Sequence, residues 1–168
     1  MVMTRYTKSN MDAELTIPRR IMSEFCSLAG DSQSALDAKV VLTLRSDARY
    51  LSLVRSVTQD ICENLGLTIE ATDGVKLAVG EAVANAMEHG SPNGKDDAVV
   101  VVFTKAERSL RVEVIDEGPG ICLPINSRRC RRRNRGFGFT LMRSLMDSVQ
   151  FIESPRGTHL VMTKLLPS

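Results

Sequence analysis

Several features that mark common protein classes are scarce or absent in this sequence. It contains no Trp, its aromatic residues amount to 4% of the chain, and only two His occur among 168 residues. The four cysteines form no CxxC pair and have no His at zinc-finger spacing, so the sequence supports neither a disulfide framework nor a zinc knuckle. Neither His lies beside a candidate nucleophile, so a Ser-His-Asp arrangement has no support either.

Long hydrophobic runs are also missing. No apolar stretch approaches the ~20 residues of a membrane span, and the N-terminal residues lack the apolar core of a signal peptide. We therefore expect a cytoplasmic protein with no membrane partner. The sequence also lacks GxxxxGK[ST], which excludes a Walker-type P-loop.

Charge is nearly balanced but unevenly distributed. The formal net charge is +2, yet six arginines crowd into the segment SRRCRRRNR at positions 127–135. A nucleic-acid binder would be expected to interleave aromatic side chains that stack on bases, and this segment has none. We expect no direct nucleic-acid partner, which leaves a solvated loop or a loop that contacts other anions.

The order of periodic segments predicts one domain. Residues 1–36 are polar and mixed, with one amphipathic candidate at 18–29, and read as a tail or an accessory element that is partly disordered. Residues 37–168 alternate strand and helix patterns. We predict strands at 40–44, 98–104, 110–115, 149–153 and 158–165, and helices at 49–65 (capped by Asp47), 72–90 and 136–147. This order predicts an α/β (α+β) two-layer sandwich, with helices covering one face of a mostly antiparallel sheet.

The central predicted helix, TDGVKLAVGEAVANAMEHG, carries a narrow polar stripe. At about 100° per residue, Val75, Val79, Val83 and Ala86 fall on one side, and Glu81, Asn85, Glu88 and His89 fall on the other. Small apolar residues flank the stripe, so the stripe either lines a cleft or is the solvent-facing side of an ordinary amphipathic helix. We expect Thr72 or Asp73 to cap this helix and His89 to serve mainly its C-terminal end.

Two glycine-rich turns follow. DEGPG at 116–120 leaves a strand, and GFG at 136–138 opens a helix. Each alone is a common backbone device, because glycine permits sharp turns. A helix that starts with free N–H groups can also bind a phosphate.

Together, and in this order, these features resemble the GHKL or Bergerat ATP-binding fold. The residues that carry the resemblance are EAVANAMEHG at 81–90, VIDEGPGI at 114–121, RGFGFTLMRSLMDSV at 135–149 and GTHLVM at 157–162. The last helix is especially similar to that of the bacterial anti-sigma-factor serine/threonine protein kinases of partner-switching systems. The arginine-rich segment corresponds to the lid, at 122–135, and departs from the family pattern.

The resemblance implies a role for each matching residue. It implies ATP and Mg²⁺ as cofactors, with Asn85 binding the metal that bridges the phosphates and Glu81 acting as general base. A hard cation accepts an amide oxygen together with phosphate oxygens, and a carboxylate can accept the proton of an attacking hydroxyl. The implied nucleotide-binding residues are Asp116 for the adenine amino group, Gly118 and Gly120 beside the purine, Thr158 at the adenine end, and Arg135, Gly136 and Gly138 at the phosphates.

The implied activity is that of an ATP-dependent protein serine kinase. Its implied partners are an anti-anti-sigma protein with a STAS domain, which it phosphorylates, and a sigma factor or equivalent regulator, which it sequesters. A homodimer is a further possible state. The alternative is a non-catalytic module that switches partners in response to nucleotide. The chain has no His before residue 89, which argues against a sensor histidine kinase.

Overall fold

A computed structural model describes residues 3–5, 16–18, 39–118, 136–152 and 157–167. Strand β1 (Met3–Arg5) pairs antiparallel with β2 (Thr16–Pro18) within the predicted accessory segment. The sheet of the main domain contains β3 (Lys39–Arg45), β4 (Ala98–Ala106), β5 (Ser109–Asp116), β6 (Ser148–Ile152) and β7 (His159–Leu165). The helices are α1 (Leu51–Asn64), α2 (Ile69–His89) and α3 (Gly136–Leu145), with short 3-10 turns at Ala48–Tyr50 and Gly94–Asp96.

The five strands lie in the order β3-β4-β5-β7-β6, and each neighbouring pair is antiparallel. Strand β7 therefore enters between β5 and β6, next to the strand that ends at Asp116. All five strand predictions are confirmed, with ends that differ by one or two residues. The fold class, an α/β sandwich with helices on one face of the sheet, is also confirmed.

Alternation along the strands places the core on one face of the sheet. In β3, Val40, Leu42 and Leu44 are buried, and the residues between them are exposed. Phe103 on β4 is fully buried, as are Val75, Val79 and Val83 of the predicted apolar side of α2. Removing such a side chain from water contributes about 1.5–3 kcal/mol, so this face of α2 anchors the helix to the sheet.

The predicted caps are partly right. Asp47 accepts a hydrogen bond from the Arg49 N–H, as a cap should, although the first turn is a 3-10 turn and α1 proper begins at Leu51. Gly66, just after α1, has φ +74°, the left-handed conformation expected at that position.

The predicted start of α2 at Thr72 or Asp73 is wrong. Thr68 has an extended backbone, and its hydroxyl accepts from the Ala71 N–H, so the helix begins at Ile69. Thr72 is instead buried inside the first turns of the helix. Helix α2 ends at His89, with Gly90 as its cap, as predicted.

Helix α3 ends at Leu145, earlier than predicted. The Asp147 N–H donates to the Thr163 carbonyl, and its carboxylate accepts from the Leu165 N–H. These bonds attach Asp147 to strand β7, and so the chain leaves the helix before it.

Candidate functional site

Glu81 and Asn85 form one wall of a cleft. They lie one turn apart on α2, both are half-buried, and Asn85 Nδ2 donates to Glu81 Oε1 at 3.2 Å. That bond uses the amide nitrogen and leaves the amide oxygen as the group that can bind a cation. The predicted polar stripe is thus confirmed for these two residues. Glu88, by contrast, is exposed and does not line the cleft.

Asp116 forms the opposite end of the cleft, where β5 ends. Its carboxylate oxygen Oδ1 accepts from the Gly118 N–H and the Thr158 N–H, each at 3.0 Å. The Asp116 N–H in turn donates to the Thr158 carbonyl at 3.0 Å. The side chain is 5% exposed. Because Oδ1 carries both bonds, the carboxylate is held in one orientation and its second oxygen, Oδ2, can accept from a ligand.

Glycines make this geometry possible. A Cβ at Gly90 would overlap with the Asp116 carboxylate, and a Cβ at Gly157 would overlap with the Asp116 backbone oxygen. Gly157 also has φ +75°. A Cβ at Gly118 would come within 2.5 Å of Gly90 Cα, so Gly118 is required by this backbone contact. The structure thus adds Gly90 and Gly157 to the predicted glycines.

Gly138 permits a similar close approach at the Glu81 end of the cleft. A Cβ there would overlap with Glu81 Oε1, so the first turn of α3 lies directly against the candidate base. Gly136 begins the helix, as predicted, which places the GFG segment beside Glu81. The predicted residues Gly120 and Arg135 lie outside the described residues, as do the other five arginines of the lid segment.

Between the two polar ends, the cleft is apolar. It has an empty volume of about 650 Å³, part of which is open to solvent. Its polar lining residues are Glu81, Asn85, His89, Asp116 and Thr158, and its remaining lining residues are Ala82, Ala86, Gly90, Val114, Gly138, Phe139, Met142, Phe151 and Leu160. A long, mostly apolar cleft with a few converging polar groups is typical of a small-molecule site.

The sequence patterns do not indicate the aromatic part of this lining. Phe139 of α3 stacks on Phe151 of β6, with ring centroids 5.2 Å apart, and Arg143 lies over the Phe139 ring at 5.8 Å. Phe139 could have been found from its place in GFGF, since its neighbour Gly138 was already singled out. Phe151 gave no local signal, because only the pairing of β6 with β7 brings it to the cleft.

The two histidines differ in role. His89 lines the cleft one turn beyond Asn85, although we predicted mainly an end-of-helix role. His159 lies on the opposite face of the sheet, where its Nε2 contacts Glu113 Oε2 at 2.7 Å. Burial raises the pKa of the Glu113 carboxyl, but hydrogen bonds from His159 and Arg111 outweigh it, and the net pKa is lowered.

A metal site made of protein carboxylates is not present in the described ranges. No group of three or more His, Cys, Asp or Glu side chains converges there. Within the same ranges, no helix is both long and apolar enough to cross a bilayer. Mg²⁺ often takes one or two protein oxygens and completes its shell with phosphates and water, so the Asn85 oxygen fits such an ion only when a phosphate accompanies it.

Comparisons with known proteins identify the family of this chain. Residues 44–164 match the family model of the histidine kinase-like ATPase domain. The anti-sigma F factor of Clostridium acetobutylicum is 35% identical over 136 residues, which span 77% of this chain and 94% of that protein. The serine-protein kinase RsbW of Listeria monocytogenes is 29% identical over 138 residues, spanning 76% and 87%.

Solved structures show the same fold. The RsbU and RsbW domains of a Mycobacterium tuberculosis protein superimpose with a TM-score of 0.59 at 21% identity, covering 77% of this chain and 33% of that one. The model match covers most of the chain, and the relatives are aligned over nearly their full length. The chain therefore belongs to the histidine kinase-like ATPase family, and within it to the group of anti-sigma factors and serine-protein kinases.

Proposed function

We propose that this protein is an ATP-dependent serine kinase that phosphorylates an anti-anti-sigma protein with a STAS domain, and that it sequesters a sigma factor or equivalent regulator. The observation that carries this proposal is the placement of Glu81 and Asn85 on one wall of a cleft whose far end is Asp116. That arrangement supports a nucleotide lying along the cleft, with its base at Asp116 and its phosphates at Asn85.

At the adenine end, Asp116 is the residue that recognises adenine. A carboxylate only accepts hydrogen bonds, so Oδ2 is suited to the exocyclic amine of adenine, which donates. The Thr158 and Gly118 N–H groups fix the other oxygen. Val114, Met142 and Leu160 line the cleft and provide apolar contact for the purine faces. Gly120 belongs to the same turn in the sequence and is proposed to lie beside the purine.

At the phosphate end, we propose that Asn85 binds Mg²⁺ and that the N–H groups of Gly136 and Gly138 contact the phosphates. Helix N-termini favour negative charge, and α3 begins at Gly136. Bound Mg²⁺ would supply charge neutralisation at the phosphates. Arg135 adjoins Gly136 in the sequence and is proposed to contact the β or γ phosphate.

Glu81 is proposed to be the general base. Its carboxylate would accept the proton of the attacking serine hydroxyl as the new bond to the γ-phosphorus forms and the bond from that phosphorus to the leaving oxygen of ADP breaks. The carboxylate accepts a hydrogen bond from the Asn85 amide and lies against the first turn of α3, which supports this role. A non-catalytic switch would need the nucleotide contacts but not this carboxylate, and so the presence of Glu81 favours the kinase.

Phosphate transfer from ATP to a protein substrate tests the proposal. The chain is incubated with Mg²⁺, radiolabelled ATP and each purified STAS-domain protein of the host, and label on serine is measured. We expect one or more of these proteins to be phosphorylated. ATP binding without transfer to any of them would support the non-catalytic switch instead. The cytoplasmic location and the homodimer are also part of the proposal, and fractionation and analytical ultracentrifugation test them.

A further inference from the structure

Helices α2 and α3 run antiparallel and close together beside the cleft. Gly138 of α3 lies against Glu81 of α2, and a Cβ at Gly74 of α2 would lie 3.5 Å from Leu145 Cδ2 of α3. From the Gly138 contact to the Gly74 contact, the chain goes back by seven residues on α2 and forward by seven residues on α3, so the two helices are antiparallel. This register places the middle of the interval, near residue 77 of α2 and residue 141 of α3, side by side.

Apolar side chains emerge at this junction toward solvent. Phe137 is 90% exposed and Leu77 is 46% exposed. Leu141 is half-buried and lies one turn after Phe137 on the same side of α3. Leu77 lies one turn before Glu81 on α2. We call these three residues, Phe137, Leu141 and Leu77, the junction strip.

The junction strip begins beside Glu81, the proposed general base. Phe137 is the neighbour of Gly138, which touches Glu81, and Leu77 is on the same helix face as Glu81. An acceptor hydroxyl must come within about 3 Å of Glu81 to lose its proton to it. The polypeptide that carries this hydroxyl has to approach from the outer side, because the inner side of the cleft is the nucleotide site.

We propose that the junction strip is the docking surface for the serine-bearing segment of the protein substrate, with Phe137 as the principal contact. The inference rests on the proposed kinase function. An exposed phenylalanine offers a large apolar area with few rotatable bonds, which suits it to recognition of a partner. The segment it fits carries an apolar side chain close to the acceptor serine, so that one residue packs on Phe137 while the hydroxyl reaches Glu81.

The chain offers a matched control for this surface. Ile69 is 82% exposed and lies on α2 as well, but at the start of the helix, 12 positions before Glu81. Replacing Ile69 or Phe137 with Ser removes a comparable exposed apolar side chain, and neither packs in the core. Only Phe137 adjoins the base.

The experiment uses a STAS-domain protein that the wild-type chain has been shown to phosphorylate. Phe137→Ser and Leu77→Ser should each raise the KM for that protein by about tenfold or more, the usual effect of removing a principal contact. ATP affinity, measured with a fluorescent ATP analogue, should stay at the wild-type value. Phe137→Leu should recover most of the loss, and Ile69→Ser should have no effect.

Three results would overturn the inference. The first is an unchanged KM in both strip variants, and the second is an equal loss in Ile69→Ser. A loss of ATP affinity in Phe137→Ser, with KM for the protein unchanged, would assign Phe137 to the nucleotide and also overturn it. Failure of the wild-type chain to phosphorylate any STAS protein would be a failure of the proposed function, and it would be seen before any variant is made.

Discussion

Gly138 lies directly against Glu81, so closely that a single methyl group at position 138 would overlap with the carboxylate. The glycine-rich start of α3 therefore does two things. It offers N–H groups at a helix N-terminus, and it leaves space for the candidate base beside Asn85.

The contact predicts that Gly138→Ala slows phosphate transfer. The new methyl group must displace Glu81, and a displaced base slows phosphate transfer more than it weakens nucleotide binding. We expect the turnover rate to fall by about tenfold or more, with a smaller change in ATP affinity. Gly74→Ala is the control, because its Cβ meets Leu145 at an ordinary distance of 3.5 Å. A wild-type transfer rate in Gly138→Ala would contradict the tight contact.

Asp116→Asn should weaken binding of adenine nucleotides. The amide can turn a donor toward the exocyclic amine, which also donates, and it is a weaker acceptor for the Gly118 and Thr158 N–H groups. We expect calorimetry to show about a tenfold or greater loss of ATP affinity. Asp97→Asn is the matched control, since Asp97 is also a buried aspartate that accepts two hydrogen bonds, in this case from Asn93. Equal ATP affinity in the two variants would remove Asp116 from the site.

Gly66 and Gly157 have the same backbone conformation but different surroundings. Substituting each one therefore distinguishes the effect of backbone strain from the effect of a steric contact. Gly66 and Gly157 have φ of +74° and +75°, but a Cβ at Gly66 meets nothing within 4 Å, whereas at Gly157 it overlaps with Asp116. Gly66→Ala should lower the free energy of unfolding by about 1–3 kcal/mol, from backbone strain alone, and leave ATP binding intact.

Gly157→Ala should cost more stability than Gly66→Ala and should also weaken ATP binding, because it pushes on the Asp116 and Thr158 pair. Urea unfolding and calorimetry measure the two effects. If both variants lost the same stability and bound ATP equally well, the close approach at Gly157 would be refuted.

The Glu113 and His159 pair predicts a pH dependence of stability. The pKa of Glu113 is lowered from its ordinary value of 4.5, so the folded state binds this proton less readily than the unfolded state. Its contribution is therefore present above about pH 4.5 and is lost as the pH falls through the lower, folded-state pKa. We expect wild-type stability to fall more steeply with acid than that of Glu113→Gln.

Urea unfolding at several values between about pH 6 and pH 3 measures this difference. Glu107→Gln, at an exposed position in the turn between β4 and β5, is the control and should follow the wild type. Parallel curves for the wild type and Glu113→Gln would show that the pair does not shift the titration.

The sequence was sufficient for most of the fold because the local patterns are strong. The β-branched runs in VVLTL and AVVVVFT predicted strands β3 and β4, and the apolar side of α2 is buried as its period indicated. The start of α2 could not be placed, because Thr68 and Thr72 lie one turn apart and both are plausible caps. Only the extended backbone at Thr68 distinguishes them.

The parts of the candidate site that lie within one helix could be predicted from the sequence. The parts that depend on the pairing or packing of distant segments could not. Glu81 and Asn85 are one turn apart and could be read from the helix period. The bond between Asp116 and the Thr158 N–H joins residues 42 positions apart, and only the pairing of β5 with β7 creates it. The contact of Gly157 with Asp116 depends on the same pairing, and that of Gly90 depends on the packing of α2 against β5, so no local pattern could reveal them.

The most direct test of the account is phosphate transfer by Glu81→Gln, measured with ATP affinity on the same protein and compared with Asn85→Ala. If Glu81 is the base and Asn85 holds the metal and phosphates, Glu81→Gln should bind ATP like the wild type but transfer phosphate about 10² to 10⁴ times more slowly. Asn85→Ala should lose both binding and transfer. Phosphorylation of the STAS-domain partner by Glu81→Gln at the wild-type rate would contradict the account.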